Sequence, residues 1–165
     1  GEALTRDGFV CAVISYRLAP SVKHPEQVRD IARAVEWVQS NARKFGGCPE
    51  KIALVGHSAG AHLASLCVAD DSFLMEAGAS ISSVKAFVGM SGIYDFERLA
   101  SSFPGKLLLE AAFSEEILSS KEASPVHVVR KAIGSNKGHR LPIRNLPVLL
   151  MSAGNDFHLD QDAEC

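Results

Sequence analysis

The sequence predicts an α/β fold in which a mostly parallel sheet is flanked by helices. Apolar runs of strand length alternate along the chain with longer stretches of helical periodicity, and such alternation is typical of parallel sheets whose faces carry helices. The chain has 165 residues, of which 47% are hydrophobic and 22% charged. This composition is that of a globular protein with one sizeable core, so we expect a single domain spanning 1–165.

Four apolar runs are predicted to be buried strands. Each is rich in branched side chains and is bounded by glycine, proline or polar residues, as expected of strands inside a parallel sheet. The four runs are Phe9–Leu18, Lys51–Gly56, Val84–Met90 and Pro147–Ala153.

Two stretches between these strands predict helices. In Pro25–Phe45, apolar residues recur every three or four positions, which would place them on one helical face. The pair Gly46-Gly47 is expected to end this helix. Ala59–Ala69 is rich in alanine and leucine and follows the second strand directly, so strand, sharp turn and helix come in succession.

The segment 94–146 has a less regular pattern than the rest of the chain. Helical stretches are predicted around Asp95–Ala100 and Leu107–Leu118, with irregular sequence between and after them. We expect this segment to form a cap or a long crossover connection above the functional site.

Charge and cysteine usage exclude several classes of function. The formal net charge is -2 and no run of lysines or arginines occurs, which argues against nucleic acid or an anionic membrane as the main partner. The four cysteines show no Cys-x-x-Cys pair, so neither a zinc site nor a disulfide framework is predicted. A small or neutral substrate is expected.

Location and assembly are only weakly constrained by the sequence. No apolar stretch approaches the ~20 residues that span a bilayer, so no membrane span is expected. A cytoplasmic protein is the expectation, although the chain starts at Gly1 rather than at methionine, so a targeting segment could have preceded it. The oligomeric state is not predicted.

The motif Gly56-His57-Ser58-Ala59-Gly60 is the strongest chemical signal in the chain. It follows a predicted strand and opens a predicted helix, which is the setting of a nucleophile elbow. We expect side chains at Gly56 and Gly60 to collide with backbone, and Ser58 to be held in a strained conformation with its Oγ exposed. The Ala59 N–H, at the positive end of the helix dipole, is the expected first donor to an oxyanion.

The residues around this motif resemble a known family. GHSAGAHLA is preceded by ISYRLAP, HPEQVRDIARAVEWV and FGGCPEKIALV and is followed by VKAFVGMSGIYDF. Together they resemble the hormone-sensitive-lipase-like branch of α/β hydrolases, and within it the kynurenine formamidase and prenylcysteine methylesterase-like group. The resemblance covers about Gly8–Asp156 and is densest over Tyr16–Asp95. It implies the α/β-hydrolase fold and hydrolysis by a Ser, Asp and His triad, without metal or organic cofactor.

The resemblance implies that the acid of the triad follows the strand after the crossover segment. PVLLMSAGNDF supplies that setting, so Asp156 is the predicted acid. Serine before aspartate is the chain order that the fold uses. Asp95 is the competing carboxylate, and Asp160 and Asp162 are weaker alternatives.

The catalytic histidine is expected to lie outside the given sequence, so none of the six histidines is assigned as the base, and the fragment by itself is expected to have weak activity or none. By the family pattern the base lies some tens of residues beyond the acid, and His158 is too close to Asp156 to return over Ser58. His57 is expected to support the turn, and structural roles are expected for His24 and His62.

Several other residues have expected roles near the site. Tyr94 and Phe96 follow the third strand at its carboxyl end, where ligands of open α/β sheets bind, so they are candidates for the pocket wall as well as for packing. The resemblance also predicts a polar brace between Arg17 and Asp30.

The resemblance further predicts that the sequence is incomplete at both ends. Relatives carry a His-Gly-Gly-Gly type segment before the position of Gly1, and its N–H groups complete the oxyanion hole. The strand leading into that segment lies between those matching Phe9–Leu18 and Lys51–Gly56. These two strands are therefore expected either to leave a gap or to pair directly.

The predicted function is hydrolysis of a carboxylic ester through an acyl-enzyme on Ser58. The first alternative is an arylformamidase, which cleaves an N-formyl amide with the same machinery. The second alternative is a catalytically inactive hydrolase-like binding protein or fragment. Pocket shape separates an ester from a formamide, and one sequence does not reveal pocket shape.

Overall fold

Three parallel strands form the sheet in the computed structural model, which describes residues 1–135 and 141–153. They are β1 (Ile52–His57), β2 (Val84–Met90) and β3 (Val148–Met151), in the spatial order β1-β2-β3. Leu54 of β1 lies opposite Phe87 of β2. Three of the four predicted strands are therefore confirmed.

The first predicted strand, Phe9–Leu18, is wrong for the described part of the chain. This segment has no strand and lies outside the sheet, with Phe9 60% and Val13 87% exposed. The backbone N–H of Arg17 donates to an oxygen of Asp30, 3.1 Å away, instead of to a strand. Branched residues favour a strand only where another strand offers its backbone groups, and β1 has its described neighbour on one side only. Neither the gap nor the direct pair is formed.

Helices connect and cover the strands. In the described residues they are α1 (Glu2–Arg6), α2 (Glu26–Asn41), α3 (Ala59–Ala69), α4 (Ser72–Glu76), α5 (Phe96–Ala100), α6 (Phe103–Ala112), α7 (Glu115–Ser120) and α8 (Pro125–Gly134). A 3₁₀ turn, Ala42–Phe45, follows α2 and ends at Gly46 in the left-handed conformation (φ 81°). The predicted end of this helix is thus confirmed, and α3 has the predicted bounds.

The predicted helix Leu107–Leu118 is instead two helices. The chain leaves α6 at Phe113 in an extended conformation, and α7 begins after Ser114. The Ser114 side chain accepts a hydrogen bond from the N–H of Ile117 (3.4 Å). A serine in this position satisfies an N–H that the new helix leaves unpaired, so it starts a helix instead of continuing one.

The helix α3 lies at the centre of the packing. All its residues from Ala61 to Ala69 are buried. One apolar cluster joins α3 to α2, α4, α5 and α6 and includes Val28, Leu66 and Leu74. A second cluster joins α3 to the sheet and includes Phe87. Since α3 contributes to both clusters, the start of this helix is held firmly against the sheet.

A polar brace ties the segment before α2 to the helix. The Arg17 guanidinium donates through Nε to Asp30 Oδ2 (2.9 Å) and through one terminal nitrogen to Asp30 Oδ1 (2.8 Å) and Glu26 Oε2 (2.8 Å). These hydrogen bonds lower the pKa of the Asp30 carboxyl below its ordinary value. The predicted pair of Arg17 and Asp30 is confirmed, and Glu26 joins it.

We expect Leu66→Ala to destabilise the protein by about 2–5 kcal/mol, because it leaves a cavity in the core. Leu66 has no exposed surface. The matched control is Leu107→Ala in α6, whose side chain is 52% exposed and should cost less than about 1 kcal/mol. Chemical denaturation followed by circular dichroism measures both. Equal losses for the two variants would contradict the assigned core.

Candidate active site

Ser58 occupies the turn between β1 and α3. Its backbone has φ 51° and ψ -121°, a conformation that a residue with a side chain rarely adopts. The N–H of Ser58 donates to the carbonyl of Met90 in β2 (2.9 Å), and its own carbonyl accepts from the N–H of His62 (3.1 Å). Both the predicted position of Ser58 and its predicted backbone strain are confirmed.

The two glycines of the motif have different environments. A Cβ built on Gly56 would lie 2.5 Å from the N of Ala61 and from the carbonyl carbon and oxygen of Gly60. A Cβ on Gly60 would have no described atom within 4 Å. The expected collision is therefore confirmed at Gly56 and wrong at Gly60. The first turn of α3 passes over Gly56, whereas the open position at Gly60 points away from that contact.

The N-terminal end of α3 presents backbone donors beside Ser58. The first N–H groups of a helix have no partner within the helix, and the Ser58 side chain makes no capping hydrogen bond to them. Ala59 is the first residue of the helix. The positive end of the helix dipole adds to the attraction for a negative oxygen. This geometry suits the predicted oxyanion donor.

An apolar cavity of about 270 Å³ adjoins this turn. Ala59, His62 and Leu63 of α3 form one wall, and residues from the loop before α2 and from α2, α5 and α6 form the others. The other lining residues are Tyr16, Leu18, Ala19, His24, Gln27, Ile93, Phe96, Leu99, Leu108, Leu109, Ala112 and Phe113. The cavity therefore lies against the residue that follows Ser58.

The two aromatic pocket candidates have separate positions. Phe96 lines the cavity and is buried. Tyr94 lies instead in the cluster between α3 and the sheet, so its expected place in the pocket wall is corrected to packing. Its ring folds back over Gly89 and Gly92, where an added Cβ would collide with it. Because these two glycines have no side chain, the Tyr94 ring has room to pack against them in the core.

The competing carboxylate, Asp95, has a structural contact. It is buried at the start of α5, and its Oδ1 accepts a hydrogen bond from the N–H of Glu97 (2.9 Å). Asp156, the predicted acid, lies outside the described residues, as do Asp160 and Asp162. The role of Asp156 stays a prediction.

Two histidines lie beside the cavity, of which His62 is buried and His24 is half-buried. His62 Nε2 donates to the carbonyl of Ala123 (2.8 Å), and its ring packs on Phe96 and Phe113. Burial lowers the pKa of His62 to about 4, and burial followed by the charge of Arg29 lowers the pKa of His24 to about 4. Both rings are therefore neutral at pH 7. Packing contacts agree with the expected structural roles.

Among the described residues, no contact identifies another histidine as the catalytic base. His57 is exposed at the end of β1. His158 lies outside the described residues. The supporting role expected for His57 therefore rests on its place in the turn alone.

Ser91 is a feature that sequence reasoning missed. It directly follows β2 and, like Ser58, has a positive φ (47°). Its N–H donates to the carbonyl of Met151 in β3 (2.7 Å). Because the N–H of Ser58 bonds Met90, the residue before Ser91, the two serines lie at one edge of the sheet. The sequence Met90-Ser91-Gly92 after an apolar run was the available signal.

The described residues contain neither a metal-binding cluster nor a membrane-spanning helix. Across residues 1–135 and 141–153, no cluster of three or more histidine, cysteine, aspartate or glutamate side chains is placed to hold a metal ion. Within the same ranges, every helix is too short or too polar to cross a bilayer.

Sequence comparison places the chain among esterases. The BD-FAE family model matches residues 1–134. The probable carboxylic ester hydrolase LipM of Mycobacterium tuberculosis is 36% identical over 104 residues, covering 61% of this chain and 24% of that protein. A probable isoprenylcysteine alpha-carbonyl methylesterase of Arabidopsis thaliana is 32% identical over 171 residues, which cover 99% of this chain and 39% of that protein. The chain thus spans less than half the length of these relatives.

Solved structures give the same fold. An esterase of Pyrobaculum calidifontis superposes with a TM-score of 0.65 and 27% identity, over 91% of this chain and 48% of that one. A bacterial esterase of the hormone-sensitive lipase family superposes with a TM-score of 0.51 and 27% identity, over 91% and 48%.

We expect Gly56→Ala to destabilise the protein by about 1–3 kcal/mol or more, because its Cβ has no room beside the first turn of α3. Gly60→Ala is the matched control. It meets no described atom, and alanine is the better helix former by about 1 kcal/mol, so stability should stay equal or rise. Thermal and chemical unfolding compare the two variants. A more harmful Gly60→Ala would contradict the described turn.

Acid should destabilise the fold through His62. Its folded pKa of about 4 lies below the ordinary 6.5, so between these pH values the unfolded chain binds a proton that the folded chain does not. The free energy of unfolding is therefore unaffected by His62 above pH 6.5 and falls as the pH drops towards 4, by up to about 1.4 kcal/mol per pH unit.

The test is the slope of unfolding free energy against pH for the wild type and for His62→Gln. Glutamine keeps a donor for Ala123 and removes the titration. The slope between pH 6.5 and 4 should become shallower in the variant by up to one proton. An unchanged slope would show that His62 is accessible to protons in the folded state.

Proposed function

Because the chain belongs to the BD-FAE family and has the α/β-hydrolase fold of hormone-sensitive-lipase-like esterases, we propose that it acts as a serine hydrolase on a carboxylic ester. The observation that carries the proposal is the geometry of Ser58. This serine is held at a positive φ between a strand and a helix, beside an apolar cavity. Such strain is characteristic of functional sites.

The proposed reaction is acyl transfer in two steps. The Ser58 oxygen attacks the ester carbonyl carbon, and its proton passes to a general base. The bond to the alcohol oxygen then breaks, and the base gives its proton to the departing alcohol. Water attacks the acyl-enzyme in the second step, which releases the acid and restores the Ser58 hydroxyl.

The start of α3 supports this chemistry. Negative charge develops on the carbonyl oxygen during each attack, and a fixed donor stabilises it more than mobile water does. In the proposal the Ala59 N–H is the first donor, and Asp156 orients the histidine that serves as base. Gly56 and Gly60 are the glycines of the elbow that shape this turn, with His57 beside them.

An ester is the favoured substrate class over an N-formyl amide. Both relatives are named for esters: one is a probable carboxylic ester hydrolase and the other a probable alpha-carbonyl methylesterase. The cavity beside Ala59 has room for more than a formyl group, which suits an ester with an apolar acyl or alcohol group. The partner is therefore proposed to be a small-molecule ester.

We expect Ser58 to become acylated slowly by p-nitrophenyl acetate, an activated ester, because no histidine of the given sequence is assigned as the base. Mass spectrometry of the quenched protein should find one acetyl group on the peptide that contains Ser58. Ser58→Gly removes the hydroxyl and keeps a backbone that tolerates positive φ. This variant should release p-nitrophenol at the rate of buffer alone.

The matched control is Ser91→Gly, which removes the other serine at positive φ on the same edge. It should keep the acetyl group on Ser58. Acetyl on Ser91, or release that survives Ser58→Gly, would contradict the assigned nucleophile. A wild-type chain that binds esters and never becomes acylated would favour the non-catalytic binding protein.

A further inference from the structure

Two polar atoms in the cavity wall have no hydrogen-bond partner among the described residues. They are Oε1 of Gln27 and Nδ1 of His24. Both residues line the cavity beside Ala59. Gln27 is only 7% exposed, so bulk water does not reach it freely. An unpaired buried acceptor costs free energy, and its presence points to a ligand group that pairs with it.

The Gln27 amide is held in one orientation. Its Nε2 donates to the carbonyl of Val22 (2.9 Å), and this bond identifies the remaining atom as the carbonyl oxygen. That oxygen only accepts hydrogen bonds. The group that pairs with Gln27 must therefore carry an N–H or O–H donor.

The wall that holds these atoms is tied to α6. The backbone N–H of His24 donates to the carbonyl of Ala112 (2.9 Å). Lys23 Nζ donates to the carbonyls of Glu110 (3.1 Å) and Phe113 (3.2 Å). These bonds satisfy carbonyls at the end of α6 that the helix leaves unpaired. The loop before α2 and the end of α6 thus form one side of the cavity together.

The cavity carries no formal charge. Among the described residues, its lining includes no aspartate, glutamate, lysine or arginine. Its two histidines are neutral at pH 7, since burial lowers both pKa values to about 4. An ionised group placed here would lose its hydration without gaining a partner of opposite charge. The surroundings therefore select uncharged groups.

The volume limits the size of the group. At about 270 Å³, the cavity exceeds the ~150 Å³ that accommodates a benzene ring in an engineered apolar cavity. It lies just below the range of about 300–1,000 Å³ for pockets that hold whole drug-sized ligands. One ring or a short branched chain fits these limits.

We propose that the cavity binds an uncharged, mainly apolar group that carries one hydrogen-bond donor, and that Gln27 Oε1 accepts from this donor. Taking that group as part of the ester attacked by Ser58 rests on the proposed function. The acyl or alcohol group would then be a phenol-like ring or a short chain with a hydroxyl or amide N–H. Gln27 is in this account a residue that determines specificity.

The experiment compares two probes of similar shape, phenol and toluene, which differ in a hydroxyl and a methyl group. Each is titrated into the 165-residue chain, and dissociation constants are taken from amide chemical shifts in NMR spectra. The shifts also report where the probe binds. The phenol hydroxyl gives up hydrogen bonds to water on binding, so the informative quantity is the change in the phenol-to-toluene affinity ratio when the acceptor is removed. This ratio should be about tenfold higher in the wild type than in a variant without the Gln27 oxygen.

Three variants test the assignment. Gln27→Met keeps the length of the side chain and removes the acceptor, so the affinity for phenol relative to toluene should fall about tenfold. Gln39→Met is the matched control, because Gln39 lies on the same helix and bonds the backbone of Ser80 outside the cavity. It should keep the wild-type affinity ratio. Ala112→Leu should weaken the binding of both probes, because the larger side chain fills the cavity. Well-dispersed amide signals in the NMR spectrum verify that each variant is folded.

A phenol-to-toluene affinity ratio that is the same in the wild type and in Gln27→Met would overturn the proposal. Failure of both probes to bind would overturn it as well. Ser58→Gly separates this proposal from the proposed function, because it should leave the affinity ratio unchanged. A ratio that depends on Gln27 without acylation of Ser58 would refute the esterase alone, and acylation with a ratio that does not depend on Gln27 would refute the cavity assignment alone.

Discussion

The first turn of α3 crosses directly over Gly56, and this close approach fixes where Ser58 lies. Any side chain at Gly56 would meet the backbone of Gly60 and Ala61. The chain must therefore reverse from strand to helix within one residue, and Ser58 takes the positive φ that the reversal requires. The same turn sets the helix dipole beside the serine and places Ala59 in the cavity wall. Strain at Ser58 is held in place because α3 is buried from Ala61 to Ala69.

Charged and neutral regions are separated within the fold. The ion pairs of Arg17 with Asp30 and Glu26 are partly exposed, whereas the described residues that line the cavity carry no charge. A low local dielectric strengthens the dipoles and donors that remain there. The arrangement suits a neutral ester, whose reaction creates charge only at the carbonyl oxygen, next to the helix end.

Features with a local cause could be predicted from the sequence. The strand β1, the elbow and α3 follow from an apolar run, two glycines and an alanine-rich stretch, and the structure contains them at the predicted bounds or within one residue. The failures have non-local causes. Phe9–Leu18 has the composition of a strand, but composition does not supply a pairing partner. Likewise, the motif did not distinguish Gly56 from Gly60, because only the direction of each absent Cβ separates them.

In the proposed mechanism, Ser58 and the start of α3 act together as nucleophile and oxyanion donor. A crystal structure of the chain after reaction with an alkyl fluorophosphonate tests both roles at once. We expect a bond from Ser58 Oγ to phosphorus, with the phosphoryl oxygen about 2.7–3.1 Å from the N of Ala59. Attachment at another residue, or a phosphoryl oxygen directed away from the helix end, would contradict it.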